Sequence, residues 1–163
     1  MSATAPVIFL DIDGVLVTRE SMKEGGFRSP DRRCVERLNE LIETTRAEIV
    51  ISSSWRIGYS LDFIRGAFCA RGFRHPASII DRTPQIHWRK NGNDLIVGSA
   101  ARADEIRAWL AANPRETFVI LDDDLDAEIE GRYVRTSMDD GLCDTHAAAA
   151  LRILSASVGE DGQ

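Results

Sequence analysis

Two carboxylates stand two residues apart in Asp11-Ile12-Asp13-Gly14, at the end of the wholly apolar run Val7-Ile8-Phe9-Leu10. On a continuing strand, residues i and i+2 share a face. Gly14 lets the backbone turn there instead, so both groups can reach one pocket. Oxygen ligands of this kind suit Mg²⁺, and a carboxylate can also act as a covalent nucleophile. A second acidic cluster, Asp122-Asp123-Asp124, follows the apolar run Thr117-Phe118-Val119-Ile120-Leu121. Burying like charges together is costly without a cation or hydrogen bonds, and a metal shared with Asp11 would offset that cost. Between the two clusters, Glu48-Ile49-Val50-Ile51 ends in Ser52-Ser53-Ser54. A hydroxyl and backbone N–H groups at that point could hold a phosphoryl oxygen. Each cluster taken alone also reads as a solvated polar strand end. EF-hand loops begin with Asp-x-Asp-Gly too, but residues 14–18 read Gly-Val-Leu-Val-Thr and supply no further oxygen ligands.

The elements that must position these groups follow from the apolar pattern. Short, wholly apolar runs suit strands buried on both faces of a parallel sheet. Weaker strand candidates lie at residues 77–80 and 132–135. Helical patterns fall between the runs. Ser29-Pro30-Asp31 reads as an N-cap, a proline at the first helical position and an acid near the positive end. Val35, Leu38, Leu41 and Ile42 then recur on one face. Ser60 caps a second helix, with Leu61, Ile64 and Phe68 inward and Gly72 as its stop. Ile106, Trp109 and Leu110 line a third, halted near Asn113-Pro114. Asp144 caps a fourth through Ala148, Leu151 and Leu154. Strand and helix alternate along the chain, which predicts an α/β fold: a three-layer, Rossmann-like parallel sheet with helices on both faces. Ligands of such sheets bind beyond the carboxyl ends of the strands, where the acid and serine clusters fall.

Composition bounds the function. The 163 residues fit one domain, and 44% apolar with 28% charged residues is globular composition. Net charge is −6, from 26 acids against 20 bases, which opposes a general polyanion-binding role but not a local basic pocket. No apolar run approaches membrane-spanning length, and residues 1–6 show no signal-peptide pattern. Cys34, Cys69 and Cys143 are odd in number and far apart, as expected of free thiols in a reducing cytoplasm. His75, His87 and His146 are scattered and lack a zinc-ligand pattern.

The order of the motifs is more telling than any one of them. Strand plus Asp-x-Asp-Gly, strand plus Ser, a basic residue, then strand plus Asp-Asp resembles the haloacid dehalogenase-like (HAD) phosphohydrolase superfamily over about residues 7–154. The opening Phe-Leu-Asp-Ile-Asp-Gly-Val-Leu carries most of that resemblance. Ile-Ser-Ser-Ser-Trp-Arg, Ile-Leu-Asp-Asp-Asp and the late Asp-Gly-Leu further resemble the small HAD domains related to those of RNA-repair proteins.

The resemblance implies that Asp11 is the nucleophile that becomes an aspartyl-phosphate. Asp13 is then the general acid and base. Asp11, the main-chain carbonyl of Asp13 and Asp123 hold Mg²⁺, with Asp122 supporting the metal or its water. The second-motif hydroxyl is Ser53 or Ser52, with Ser53 favoured by aligning on Trp55. The third-motif cation is Arg102, with Arg89, Lys90 and Arg107 as rivals. Gly14 and Arg56 complete the expected phosphate- and substrate-binding set. Phosphoryl transfer asks mainly for positioning and charge neutralisation, which Mg²⁺ and an arginine supply. Asp13 must be protonated when the leaving group departs, and a neighbouring carboxylate with partial burial should raise its pKa.

Substrate choice should lie in two short segments. Residues 18–29, with Gly25-Gly26, suggest a small hairpin flap carrying Arg19, Lys23, Phe27 and Arg28 toward an anionic, aromatic substrate. Residues 83–98 are a short, irregular insert in which His87-Trp88-Arg89-Lys90 could stack on a base. Neither is long enough for a large cap, so an open site would admit a bulky substrate such as a nucleic-acid end or a phosphoprotein. The expected function is Mg²⁺-dependent hydrolysis of a phosphomonoester, with a nucleotide or nucleic-acid end in view. The alternatives are a phosphotransferase or mutase on the same scaffold, a receiver-like module, and a phosphate-binding domain without activity. No membrane, zinc or obligate protein partner is expected.

Overall fold

The computed structural model describes residues 3–89 and 96–156. Five strands form one parallel sheet: β1 (Val7–Leu10), β2 (Glu48–Ile51), β3 (Ile79–Arg82), β6 (Phe118–Asp122) and β7 (Tyr133–Arg135), in the order β3-β2-β1-β6-β7. The first motif therefore sits on the central strand. Val7 to Leu10 are all fully buried, which is why this run shows no polar alternation.

Strand periodicity divides the core in two. Ile8 and Leu10 join Ile49, Ile51, Val119 and Leu121 on one face. That face is covered by α2 (Arg32–Thr45), α4 (Leu61–Cys69) and α6 (Asp144–Ala156), through Leu38, Phe68 and Leu154 among others. Val7, Phe9, Val50 and Ile120 face the other way and pack on Ile106 and Trp109 of α5 (Arg102–Ala112). The fold is thus an α/β Rossmann-like sheet with helices on both faces, as the alternation of elements implies.

Several local expectations change. The first long helix starts two residues later than the Ser29 cap suggests: Asp31 is its N-cap and accepts the Arg33 N–H at 2.9 Å. The third strand runs from Ile79 to Arg82 rather than over 77–80, because Pro76–Ser78 forms a 3₁₀ turn. Segment 18–29 holds a helix, α1 (Arg19–Gly25), instead of a hairpin flap. Thr18 and Ser21 form a reciprocal capping box, with Ser21 N–H donating to Thr18 Oγ1 at 3.1 Å and Thr18 N–H to Ser21 Oγ at 2.9 Å. That satisfies helix-start donors a hairpin would leave to a partner strand. Gly26, at φ +86°, then ends the helix.

Where an irregular loop is expected over 83–98, a two-stranded antiparallel sheet pairs β4 (His87–Arg89) with β5 (Ile96–Ser99). Its strands are too short to show a hydrophobic period. Lys90 lies outside the described residues. One further short helix, α3 (Trp55–Gly58), follows the serine run.

Candidate active site

The site begins as a row across the sheet. The ladder continues one residue past each central strand: Ser52 N–H donates to Leu10 O and Asp11 N–H to Leu121 O, both at 3.0 Å. With Leu10 opposite both Ile51 and Leu121, this puts Ser52, Asp11 and Asp122 at one level on three adjacent strands. Alternation gives all three the face of Val50, Phe9 and Ile120, the face that α5 covers. Arg102, Ile106 and Trp109 follow at helical spacing on α5. As Ile106 and Trp109 meet the apolar rows, Arg102 meets the polar one. Its guanidinium lies 2.7 Å from Asp122 Oδ2 and 3.3 Å from Asp11 Oδ2.

Asp11, Asp122 and Asp123 each offer a carboxylate oxygen within 4.8 Å of the other two. Asp11 and Asp122 are buried, and Asp122 Oδ1 also accepts the Asp124 N–H at 2.9 Å. Burial pushes the Asp11 carboxyl well up, Asp122 pushes it further, and Arg102 opposes both. Burial likewise raises Asp122 against the pull of Arg102. Burial also works against the Arg102 charge, but Asp11 and Asp122 outweigh it and hold the guanidinium protonated. One guanidinium against two of three clustered carboxylates leaves negative charge to be met. An all-oxygen donor set at this spacing fits a hard divalent cation such as Mg²⁺.

Glycine is required at position 14. Gly14 has φ +83°, and a Cβ there would stand 2.3 Å from Asp123 Oδ2. The turn is closed by Gly14 N–H donating to Val17 O at 2.8 Å, and by the buried Thr136 hydroxyl donating to Gly14 O at 2.6 Å. It lifts Asp13 out of the sheet level, leaving its side chain half-buried beside α3. There the Trp55 indole N–H donates to Asp13 Oδ1 at 3.3 Å and Oδ2 at 3.2 Å. Burial raises the Asp13 pKa, the Trp55 hydrogen bond lowers it, and Asp123 raises it again. No N–H or O–H of the described residues reaches the main-chain carbonyl of Asp13.

The serines separate cleanly. Ser53 Oγ accepts the Trp55 N–H at 3.2 Å. Ser52 Oγ is fully buried and has no hydrogen-bond partner among the described residues. Such an orphan is uncommon and calls for an explanation.

Arg56 is turned inward. It donates to Thr83 O at 3.1 Å and to Ser52 O and Ser53 O at 2.9 Å, and pairs with buried Glu105 at 2.8 Å. Its donors hold the serine loop in place rather than meeting open solvent. Of the rival cations, Arg107 pairs with Asp104 on an exposed helix face.

Sequence reasoning missed four supports: Trp55 on Asp13, Thr136 on Gly14 O, Glu105 under Arg56, and Asp126. Asp126 Oδ2 accepts the Arg102 N–H at 3.2 Å and so caps α5. None of these partners has a spacing signal, because each comes from an element remote in sequence.

The model of the HAD domain in Swiss Army Knife RNA repair proteins matches residues 7–147. No curated protein and no solved structure matches the chain. The match runs from the first residue of β1 into α6 and takes in the whole row of site residues, and the chain belongs to this family of HAD domains.

Proposed function

We propose that the protein is a Mg²⁺-dependent phosphatase that hydrolyses a phosphomonoester through an aspartyl-phosphate on Asp11, acting on a nucleotide or nucleic-acid end. The observation that carries this reading is the convergence of Asp11, Asp122 and Asp123 within 4.8 Å, with the Arg102 guanidinium against two of them. The family's RNA-repair setting supports the choice of substrate.

In this reading a carboxylate oxygen of Asp11 attacks phosphorus. The bond from phosphorus to the leaving oxygen breaks as Asp13 gives that oxygen its proton. Asp13, now ionised, takes a proton from water, and the water oxygen displaces the phosphoryl group from Asp11 as inorganic phosphate. Burial keeps a proton on Asp13 at higher pH than a free aspartate would hold one, which suits the first step. Arg102 screens the phosphoryl charge from the carboxylates and favours ionised Asp11. Asp11, Asp123 and the Asp13 carbonyl would hold Mg²⁺, with Asp122 in support; the ion supplies the charge that draws a phosphate dianion to an acidic pocket.

For the second-motif hydroxyl the orphaned Ser52 Oγ, at the level of Asp11, is the better candidate. Ser53 Oγ already accepts the Trp55 N–H whereas Ser52 Oγ has no partner among the described residues, which favours Ser52 over Ser53. Arg56 serves as a positioning residue for their loop.

Steady phosphate release from an aryl phosphate in Mg²⁺, lost in Asp11→Asn, is the expected result. Equal release by both proteins overturns the role of Asp11. Phosphoryl transfer to an added alcohol in place of water would favour the phosphotransferase reading. Ser52→Ala should lower turnover more than Ser53→Ala.

A further inference from the structure

Beside Asp13 a cavity of about 430 Å³ opens between two walls. One wall is Met22 of α1 with Phe27 and Arg28 of the loop after it; the other is Trp55 and Tyr59 at α3. Asp13 forms the inner end. Whatever occupies this slot is therefore next to the group that would protonate the leaving oxygen, on the alcohol side of the ester.

The lining is unusual for an acidic chain. From Asp13 outward the rings run in series. Trp55 meets Tyr59 edge-on at 5.5 Å, and Tyr59 stacks on Phe63 at 4.5 Å with an 18° interplanar angle. Phe63 is 43% exposed and Phe27, on the opposite wall, 81% exposed. The Arg28 guanidinium lies 4.9 Å above the Tyr59 ring. Among the described residues Arg28 makes no ion pair with a carboxylate; the Tyr59 ring is its recorded contact. Exposed rings and one guanidinium that faces no carboxylate, all at one cavity, fit a ligand that is planar, π-rich and anionic beyond its scissile phosphate.

We propose that the cavity beside Asp13, lined by Phe27, Trp55 and Tyr59, is the leaving-group subsite, and that it holds the nucleobase adjoining the terminal phosphate of a single-stranded nucleic acid, with Arg28 moving off the Tyr59 ring to meet the next phosphodiester. The inference rests on the phosphatase reading and adds the residues that choose the substrate. A phosphotyrosyl side chain would fill the slot with one ring, but its backbone brings no anion for Arg28.

The test compares kcat/KM of the full chain in Mg²⁺ on four substrates: 3′-phosphorylated and 5′-phosphorylated trinucleotides, ribose 5-phosphate and a phosphotyrosyl peptide. One trinucleotide should exceed ribose phosphate, and the better arm names the end. Phe27→Ala and Arg28→Gln should each cut the ratio of that trinucleotide to ribose phosphate by about fivefold or more, the size of a lost stacking contact. Phe27 is too exposed for its truncation to unfold the protein. A wild-type enzyme that hydrolyses esters without preferring the trinucleotides, or that prefers the peptide, overturns the subsite and leaves the phosphatase reading standing. If no ester is hydrolysed, anisotropy of a labelled trinucleotide decides: binding weakened about fivefold or more in Phe27→Ala keeps the subsite while the phosphatase reading falls. Absent binding, or binding that Phe27→Ala does not weaken, overturns the subsite.

Discussion

The Trp55 indole N–H bridges both carboxylate oxygens of Asp13, at 3.3 Å and 3.2 Å, and so ties the strand-end turn to the loop after β2. The bond does two opposed things. It fixes the carboxyl beside the pocket, and it favours the ionised form that burial disfavours. Trp55→Phe keeps the ring and deletes the donor. Asp13 should then hold its proton to higher pH, moving the alkaline limb of kcat/KM upward. Looser placement should lower kcat by about tenfold or more, within the ~10²–10⁴-fold that positioned proton transfer is worth. A pH–rate profile of the variant beside the wild type reads both effects; an unmoved limb would detach Trp55 from Asp13 chemistry.

The acidic row makes stability depend on pH and on metal together. Burial, then Asp122, raises the Asp11 carboxyl, and burial raises Asp122. A carboxyl raised above its unfolded value contributes stability below that value, about pH 4, and loses it as pH climbs through the folded value. These two groups should therefore make the metal-free protein less stable at pH 7.5 than at pH 5. Mg²⁺ binding to the ionised cluster acts in the other direction. Calorimetry should show a Mg²⁺-dependent rise in Tm that is larger at pH 7.5 than at pH 5. Asp11→Asn should raise Tm in EDTA and blunt the response to Mg²⁺. A full response in that variant would place the ion elsewhere.

Arg102 holds two buried carboxylates at once, with its side chain 19% exposed and that of Asp122 fully buried. Removing one partner of a buried ion pair typically costs about 3–5 kcal/mol. Because the Arg102 side chain keeps some contact with solvent, Arg102→Ala should cost about 2–3 kcal/mol in metal-free denaturant titrations. Mg²⁺ should restore part of that stability. It should not restore turnover, which also loses a donor aimed at the phosphoryl group, by about 10²-fold or more. Recovery of both together would reduce Arg102 to a structural cation.

Gly14→Ala should fail twice over. Its φ of +83° disfavours any side chain, at about 1–2 kcal/mol. The new methyl would also enter Asp123 at 2.3 Å and move a carboxylate of the cluster. Thr136→Val removes only the 2.6 Å bond to Gly14 O and should cost about 1 kcal/mol. Mg²⁺ titrations followed by thermal shift should therefore show much weaker binding in Gly14→Ala than in Thr136→Val. Equal affinities would mean that the approach of Gly14 to Asp123 does not set the site.

The sequence by itself determined the sheet and the first reading of its site. Fully apolar runs such as Val7-Ile8-Phe9-Leu10 suit strands covered on both sides, and in an alternating α/β chain the polar residues at their ends fall at the carboxyl edge of the sheet. The Ile106-Trp109-Leu110 spacing of the third helix was visible too, since helical periodicity is local. What only the tertiary structure decided is contact between elements. The choice between Ser52 and Ser53, the inward turn of Arg56 onto Glu105, the Trp55–Asp13 bond and the Asp126 cap all depend on which side chains meet across loops. Segment 18–29 shows the same limit: its two glycines suggested a hairpin, and the Thr18–Ser21 capping box made it a helix. Local pattern records burial and period, whereas a hydrogen bond between distant residues leaves no periodic trace in the chain.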